Sequence, residues 1–316
     1  MKKLLEKPFF KIAKNTLSGF MADKGLKLSA SLAYYTIFAL GPLLMLLISL
    51  AGVFLGKDAI QGKIFGELNE LIGDSAALYV QDMLRTLELS GKSTMALIIS
   101  LVTLLIGATT IFGEIQDSIN IIWKVKAKPK RGWVKMLKDR LLSSSLIVSL
   151  GFLLIVSLVV NGALLALTDR LMRVLPKVTI LIAEIVNVGI SFIVITVLFG
   201  TIFKVLPDVK IKWKDVRIGA FFTACLFMLG RYLIGLYIST TGTGSAFGAA
   251  GSLIVILVWV YYTAAILYMG AEFTQVYAEY KGHDIEPADY AVHIEQTEIE
   301  KDVVALPKKH EEIKEE

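Results

Sequence analysis

The sequence predicts an all-α membrane protein with six transmembrane helices. Three observations carry that reading. The hydrophobic fraction is 55 % and the mean hydropathy is +0.66, well above a soluble domain of ordinary make-up. No charged residue occurs from Tyr232 to Ala271, although about 20 apolar residues suffice to cross a hydrocarbon core about 30 Å thick. The basic residues are bunched into an N-terminal arm and two connections, with apolar runs between them.

Residues 1–27 form the arm, with seven lysines against Glu6 and Asp23. No small-residue cleavage site precedes Leu28, so no cleaved signal peptide is expected. From Pro8, a residue suited to a first helical position, the pattern is amphipathic. Phe9, Ile12, Ala13, Thr16, Leu17 and Phe20 share one face, with Lys7, Lys11 and Lys14 opposite. Two readings stand: a helix lying in the interface with its lysines toward anionic headgroups, or one packed on the bundle.

The first span, 28–56, carries no charge. Pro42 removes a backbone donor within it, which predicts a kink. Ser31, Tyr34 and Tyr35 fall on one side, and such a polar stripe should face the bundle or a wet cavity. Residues 57–92 alternate apolar and polar at helical spacing around Gly73, which predicts two amphipathic helices in an outer loop.

The second span, 93–123, ends in a ridge where Glu114, Asp117 and Asn120 recur every three residues. Residues 124–140 hold eight basic residues and only Asp139. The third span is 141–168, followed by a short loop. The fourth, 178–203, has Glu184 and Asn187 near its start, and 204–217 is again basic, five against Asp208 and Asp215. The fifth span, 218–239, contains Arg231 and the single cysteine, Cys225, expected as a small buried side chain. A glycine-rich loop leads into the sixth, 247–276. The stretch 281–316 reads as an acidic, disordered tail, since twelve carboxylates face five lysines from Glu279 onward.

Six spans place both termini on one side of the membrane. With a cytoplasmic N-terminus all three basic segments lie inside, as the positive-inside rule requires. The predicted domains are thus the arm 1–27, the membrane domain 28–280 and the tail 281–316.

A charge in hydrocarbon costs about 3 kcal/mol or more unless paired or wet. Arg231 lies about eight residues, roughly 12 Å, inside the outer end of its span. Glu184 lies at similar depth, so an Arg231–Glu184 pair is expected, joined by Asn187. It serves either as a buried salt bridge fixing register or as a ligand contact in an outward-facing cavity. Glu114, Asp117, Asn120 and Glu272 gather at the inner ends of spans two and six. They either bind a cation or carry protons, or they dock the basic loop nearby. Gly244, Gly248 and Gly251 either let helices approach closely or expose backbone to a ligand.

Four stretches together look like the YihY/BrkB family of bacterial inner-membrane proteins: Ser29–Pro42 (SASLAYYTIFALGP), Phe112–Trp123 (FGEIQDSINIIW), Leu206–Ala220 (LPDVKIKWKDVRIGA) and Phe247–Glu272 with its WVYY and GAE. The resemblance covers about residues 10–280. It departs from the family pattern slightly near Ala39, where a serine is usual. It implies a six-span protein of the cytoplasmic membrane. Members have been linked to export of cell-envelope lipid and to serum resistance, and some carry a ribonuclease label.

That label fits these residues poorly. A nuclease needs a water-accessible cluster holding metal at a phosphate, and the loops are too short to house a catalytic domain. All three histidines, His283, His293 and His310, fall after the last span, and no nucleotide-binding glycine loop occurs. No enzyme activity, metal, cofactor or nucleic-acid partner is expected. The leading expectation is a transporter or flippase-like protein for an anionic envelope lipid, partnered by anionic headgroups at the cytoplasmic face. Arg231, Glu184, Glu114, Asp117 and Glu272 are its candidate residues, with Tyr34 and Tyr35 lining the path. The rival is a scaffold or regulator whose tail recruits partners. An ion channel would need a full polar stripe, and no span has one.

Overall fold

In lipid, long uncharged runs can satisfy their backbone groups only within a helix or a closed barrel. The chain takes the first course. The computed structural model describes residues 8–38, 94–128, 176–241 and 251–295. Helix α1 spans Pro8–Ala22, opening at the proline as expected, and α2 covers 25–38. Helix α3 is Thr94–Ile122, α4 is Pro176–Val205, α5 is Trp213–Thr241 and α6 is Gly251–Tyr280. Among the described residues, three segments are long and apolar enough to cross a membrane: Val188–Val205, Trp213–Ile234 and Ile254–Tyr280. The expected first span beyond residue 38 with Pro42, the outer loop, the third span, Gly244 and Gly248 lie outside the described residues.

Helix α6 is the central element. It packs most extensively on α5, and also on α1 and α3, while α5 packs in turn on α4. The α5–α6 seam arises from small residues at one-turn spacing. Thr223 donates back to the Gly219 carbonyl and Thr274 to the Gly270 carbonyl, each at 2.7 Å. Each hydroxyl is thereby satisfied inside its own helix. A Cβ added to Gly219 would lie 2.9 Å from the Thr274 Cβ, and one added to Gly270 would lie 2.9 Å from the Thr223 Cβ. Each helix therefore offers a glycine where the other offers a threonine. Further along, Gly230 lies beneath the Tyr262 ring. The partners run 219 to 274, 223 to 270 and 230 to 262, so α5 and α6 are antiparallel in one register. The expected close-packing glycines were others. Of those, Gly251 opens α6.

At the lysine-rich end of the helices, Ile119, Ile122, Phe203, Val216, Leu267 and Tyr268 form the buried core. The opposite stripe of α5, with Ile218, Phe221, Cys225, Leu229 and Tyr232, is exposed, as a lipid-facing wall should be. This corrects the expected burial of Cys225: the buried face of α5 is the one carrying Gly219, Ala220, Thr223 and Ala224. Of the two readings for the first-span aromatics, packing into the bundle is not what α2 shows. Tyr34 is 59 % exposed and Tyr35 38 %, because α2 buries Ser29, Leu32 and Ala33 instead. Tyr34 meets Tyr35 and Phe38 edge to face at 5.7 and 4.9 Å. For α1, the packed reading holds: Thr16 and Phe20 are buried and the helix lies on α6.

Two short sheets join the basic connections to the segment after α6. Strand β1 (Val125–Ala127) pairs antiparallel with β4 (Ala291–His293), and β2 (Val209–Lys210) with β3 (Glu286–Pro287). The start of the expected disordered tail is therefore ordered to residue 295. Strands of two or three residues escape any periodicity, and they form because the two loops present open backbone edges.

The seam sets a sharp expectation. Gly219→Ala and Gly270→Ala should each destabilise by about 1–3 kcal/mol through overpacking, despite alanine's helix preference of about 1 kcal/mol. Gly113→Ala and Gly189→Ala, where an added Cβ meets nothing within 4 Å, should be neutral or stabilising. Thermal unfolding of the purified variants in one detergent separates the two classes.

Candidate functional site

The polar groups that sequence reading gathered into one cluster are divided between two centres. The first is built on Asp208, which comes after Pro207 at the bend between α4 and β2. Gln116 and Asn120 stand one turn apart on α3 and both reach it. Asn120 Nδ2 donates to Asp208 Oδ2 at 2.9 Å, and the Asp208 amide donates back to Asn120 Oδ1 at 2.9 Å. Gln116 Nε2 donates to Oδ1 at 3.1 Å and the Tyr290 hydroxyl to the same oxygen at 2.9 Å. The Asp208 carbonyl accepts from the Ala288 amide at 2.9 Å. Asp208 is 1 % exposed, and a buried carboxylate is tolerated only when its lone pairs are met in this way. One side chain thus holds α3, the α4–α5 connection and the segment after α6. Asn120 performs the docking role that was one of its two expected readings.

Asp215, in the first turn of α5, repeats the device. It is 2 % exposed and lies 2.8 Å from His283 Nδ1. The turn that delivers His283 is a helix C-cap. The His283 amide donates to Ala278 O and the Gly282 amide to Glu279 O, with Gly282 at φ +69°, a backbone conformation that glycine adopts without strain. Trp123 Nε1 donates to the Ala271 carbonyl at 3.0 Å, fastening the end of α3 to α6.

The second centre surrounds Glu272, which is 5 % exposed. Its carboxylate lies against Gly19 of α1, where any Cβ would overlap it. Glu272 Oε2 and Thr16 Oγ1 are buried and meet no hydrogen-bond partner among the described residues. Asp23, Glu279 and Lys124 are the charged groups acting on Glu272, and Ser118 and Glu114 act on Tyr268. Burial holds the Asp23 carboxyl above the ordinary carboxylate range, with Lys124 opposing. Glu272 therefore faces α1, Asn120 faces Asp208, and Asp117 is exposed: the expected single cluster is not formed.

Arg231 is exposed on α5, beside the exposed Leu229, Tyr232 and Leu233. Glu184 and Asn187 belong to α4, but their side chains lie outside the described residues, and the expected pair with them.

The family model for Virulence factor BrkB matches residues 16–292. The chain belongs to the Virulence factor BrkB family. The matched region runs from Thr16 on α1 to Val292 in β4, so it takes in Asp208, Tyr290 and both small sheets except His293. Among curated relatives, the chain is 26 % identical over 269 residues to a UPF0761 membrane protein of Alkalilimnicola ehrlichii, covering 83 % of this chain and 57 % of the relative. It is 24 % identical over 283 residues to one of Vibrio vulnificus, covering 86 % and 84 %. It is 27 % identical over 265 residues to one of Pseudomonas aeruginosa, covering 80 % and 59 %. The chain spans 57 % and 60 % of the first two relatives it matches. No solved structure matches it. These relatives are named as membrane proteins, and their names give no reaction.

In this BrkB-family chain, sequence reading missed Gln116, Asp208, Asp215, His283 and Tyr290. The available signal was two aspartates within a segment otherwise basic. Acids there looked like diluted charge, and their burial depends on residues some 70 to 90 positions away.

Asp208→Ala leaves Asn120 with a buried unmet donor, at about 1–3 kcal/mol, and takes one acceptor from the half-buried Gln116 and Tyr290. Limited proteolysis of that variant should cut within 284–295 much faster than in wild type, while α5 and α6 stay protected. Asp208→Asn should fall between them.

Proposed function

We propose that this chain moves an anionic amphiphile of the envelope across the cytoplasmic membrane, through a bundle of six spans with both termini cytoplasmic. The observation that carries the reading is Arg231. A guanidinium cannot lose its charge, and it is exposed on an apolar span between Leu229 and Leu233. Left in hydrocarbon it costs about 3 kcal/mol or more. A passing phosphate or carboxylate headgroup offsets that cost and accepts a fork of hydrogen bonds. The lysine-rich connections supply the complementary field at the cytoplasmic rim.

Arg231→Gln should reduce translocation of a fluorescent anionic lipid in proteoliposomes by about tenfold or more, while its thermal unfolding stays near wild type. Arg231→Lys should retain part of the rate, since charge survives and the fork does not. Full activity in Arg231→Gln, or no lipid movement by the wild type with and without a proton gradient, would remove this reading.

The scaffold reading gains one observation: the acidic segment is not all free to recruit partners. Residues 286–293 are committed to the sheets, so a deletion beginning at 281 would also dismantle them. The discriminating truncation removes 296–316. A transporter keeps its rate without those residues, and a tail-dependent scaffold loses its partners.

A further inference from the structure

The start of α5 and the end of α6 enclose an open cleft of about 410 Å³. Its cations come from two directions: Lys214 and Arg217 from the first turns of α5, and Lys281 from just past α6. All three are exposed. Arg217 Nε donates to the Trp213 carbonyl at 3.3 Å. Lys281 Nζ lies over the Tyr277 ring, 5.8 Å from its centre, which holds the ammonium at the wall. The lining acid, Asp215, is buried and turned onto His283, so the open surface is cationic. Ile218 and Tyr277 add an apolar side. The depth is set by aromatics. Trp213 is 53 % and Tyr280 48 % exposed, where the apolar stretches of α5 and α6 begin and end, and such residues sit at headgroup level.

We propose that this cleft binds the phosphate of an anionic phospholipid, with Lys214, Arg217 and Lys281 on the phosphate and Ile218 beside the start of the acyl chains. A lipid held here without crossing the membrane satisfies the proposal, so it stands apart from transport.

The test is native mass spectrometry of the full chain released from nanodiscs of equal parts phosphatidylglycerol and phosphatidylethanolamine. Wild type should retain the anionic lipid preferentially. Lys214→Gln/Arg217→Gln/Lys281→Gln should lower that preference by about tenfold or more, given the attraction of each basic residue to anionic lipid. Lys11→Gln/Lys14→Gln/Lys27→Gln, which removes equal charge from the arm, should keep it. Lys281→Gln alone, in an exposed turn, should give about a fivefold loss and secures the result should the triple variant fold poorly. Absence of preference in wild type, its persistence in both cleft variants, or equal loss in the arm variant would overturn the proposal. Displacement of the lipid by millimolar inorganic phosphate would overturn it in favour of a soluble phosphate ligand.

Discussion

The close approach of α5 and α6 is the constraint on which the rest of this structure depends. Within a membrane, lipid tails are as apolar as leucine, so burial of apolar surface gives little reason for two helices to meet. Contact must come from dispersion between backbones brought near each other. Gly219 and Gly270 permit that approach, and Thr223 and Thr274 fill the space opposite them. Because each threonine hydroxyl bonds within its own helix, neither threonine needs a partner across the seam. The same antiparallel register then puts Phe222 face to face with Phe273 at 3.9 Å and Tyr262 over Gly230. With that pair set, α4 has a wall to pack on through α5, and α1 and α3 have one through α6.

The lysine-rich end is held by a different kind of force. There the chain leaves the helices, and backbone groups need partners that a span supplies for itself. The two connections present edges at β1 and β2, and the segment after α6 fills both. Asp208 and Asp215 add the side-chain bonds that fix this arrangement, each nearly dry and each held by residues distant in sequence. The basic connections are therefore more than a topological signal. They carry charge on their surface and two acids beneath it, and those acids decide where the loops sit.

Much of the helical architecture was legible because it rests on local properties. Uncharged length marks the spans around α5 and α6, and Pro8 marks the start of α1. The illegible parts depend on neighbours. The glycine-rich loop drew attention because its small residues are consecutive. The seam instead uses Gly219 and Gly270, single glycines in apolar runs with a threonine one turn on. The Tyr34–Tyr35 stripe suggested the bundle or a wet cavity, and the side of α2 that packs is the one with Ser29, Leu32 and Ala33. Glu272 and Asn120 were counted to one level along the bundle, yet Glu272 faces α1 and Asn120 faces Asp208. Level comes from counting residues, whereas direction comes from which helix lies where. The residues at 286–293 were hidden by their acidic surroundings, since strands this short leave no periodic trace.

These arrangements divide α6 into faces of unequal strength. Toward α5 it is locked by shape, with the Thr274 hydroxyl satisfied inside its own helix. Toward α1 it carries Glu272, and with Thr16 it places two buried polar atoms without partners among the described residues at that contact. Such groups lower local stability, each by about 1–3 kcal/mol, and weakly held elements are the ones that open first. Gly19 lets α1 come close enough to cover Glu272, so a small separation of α1 would wet the carboxylate without disturbing the α5–α6 pair. On one helix, then, a seam closed by shape stands opposite a contact whose buried polar atoms go unmet, so the two faces of α6 are held by different means.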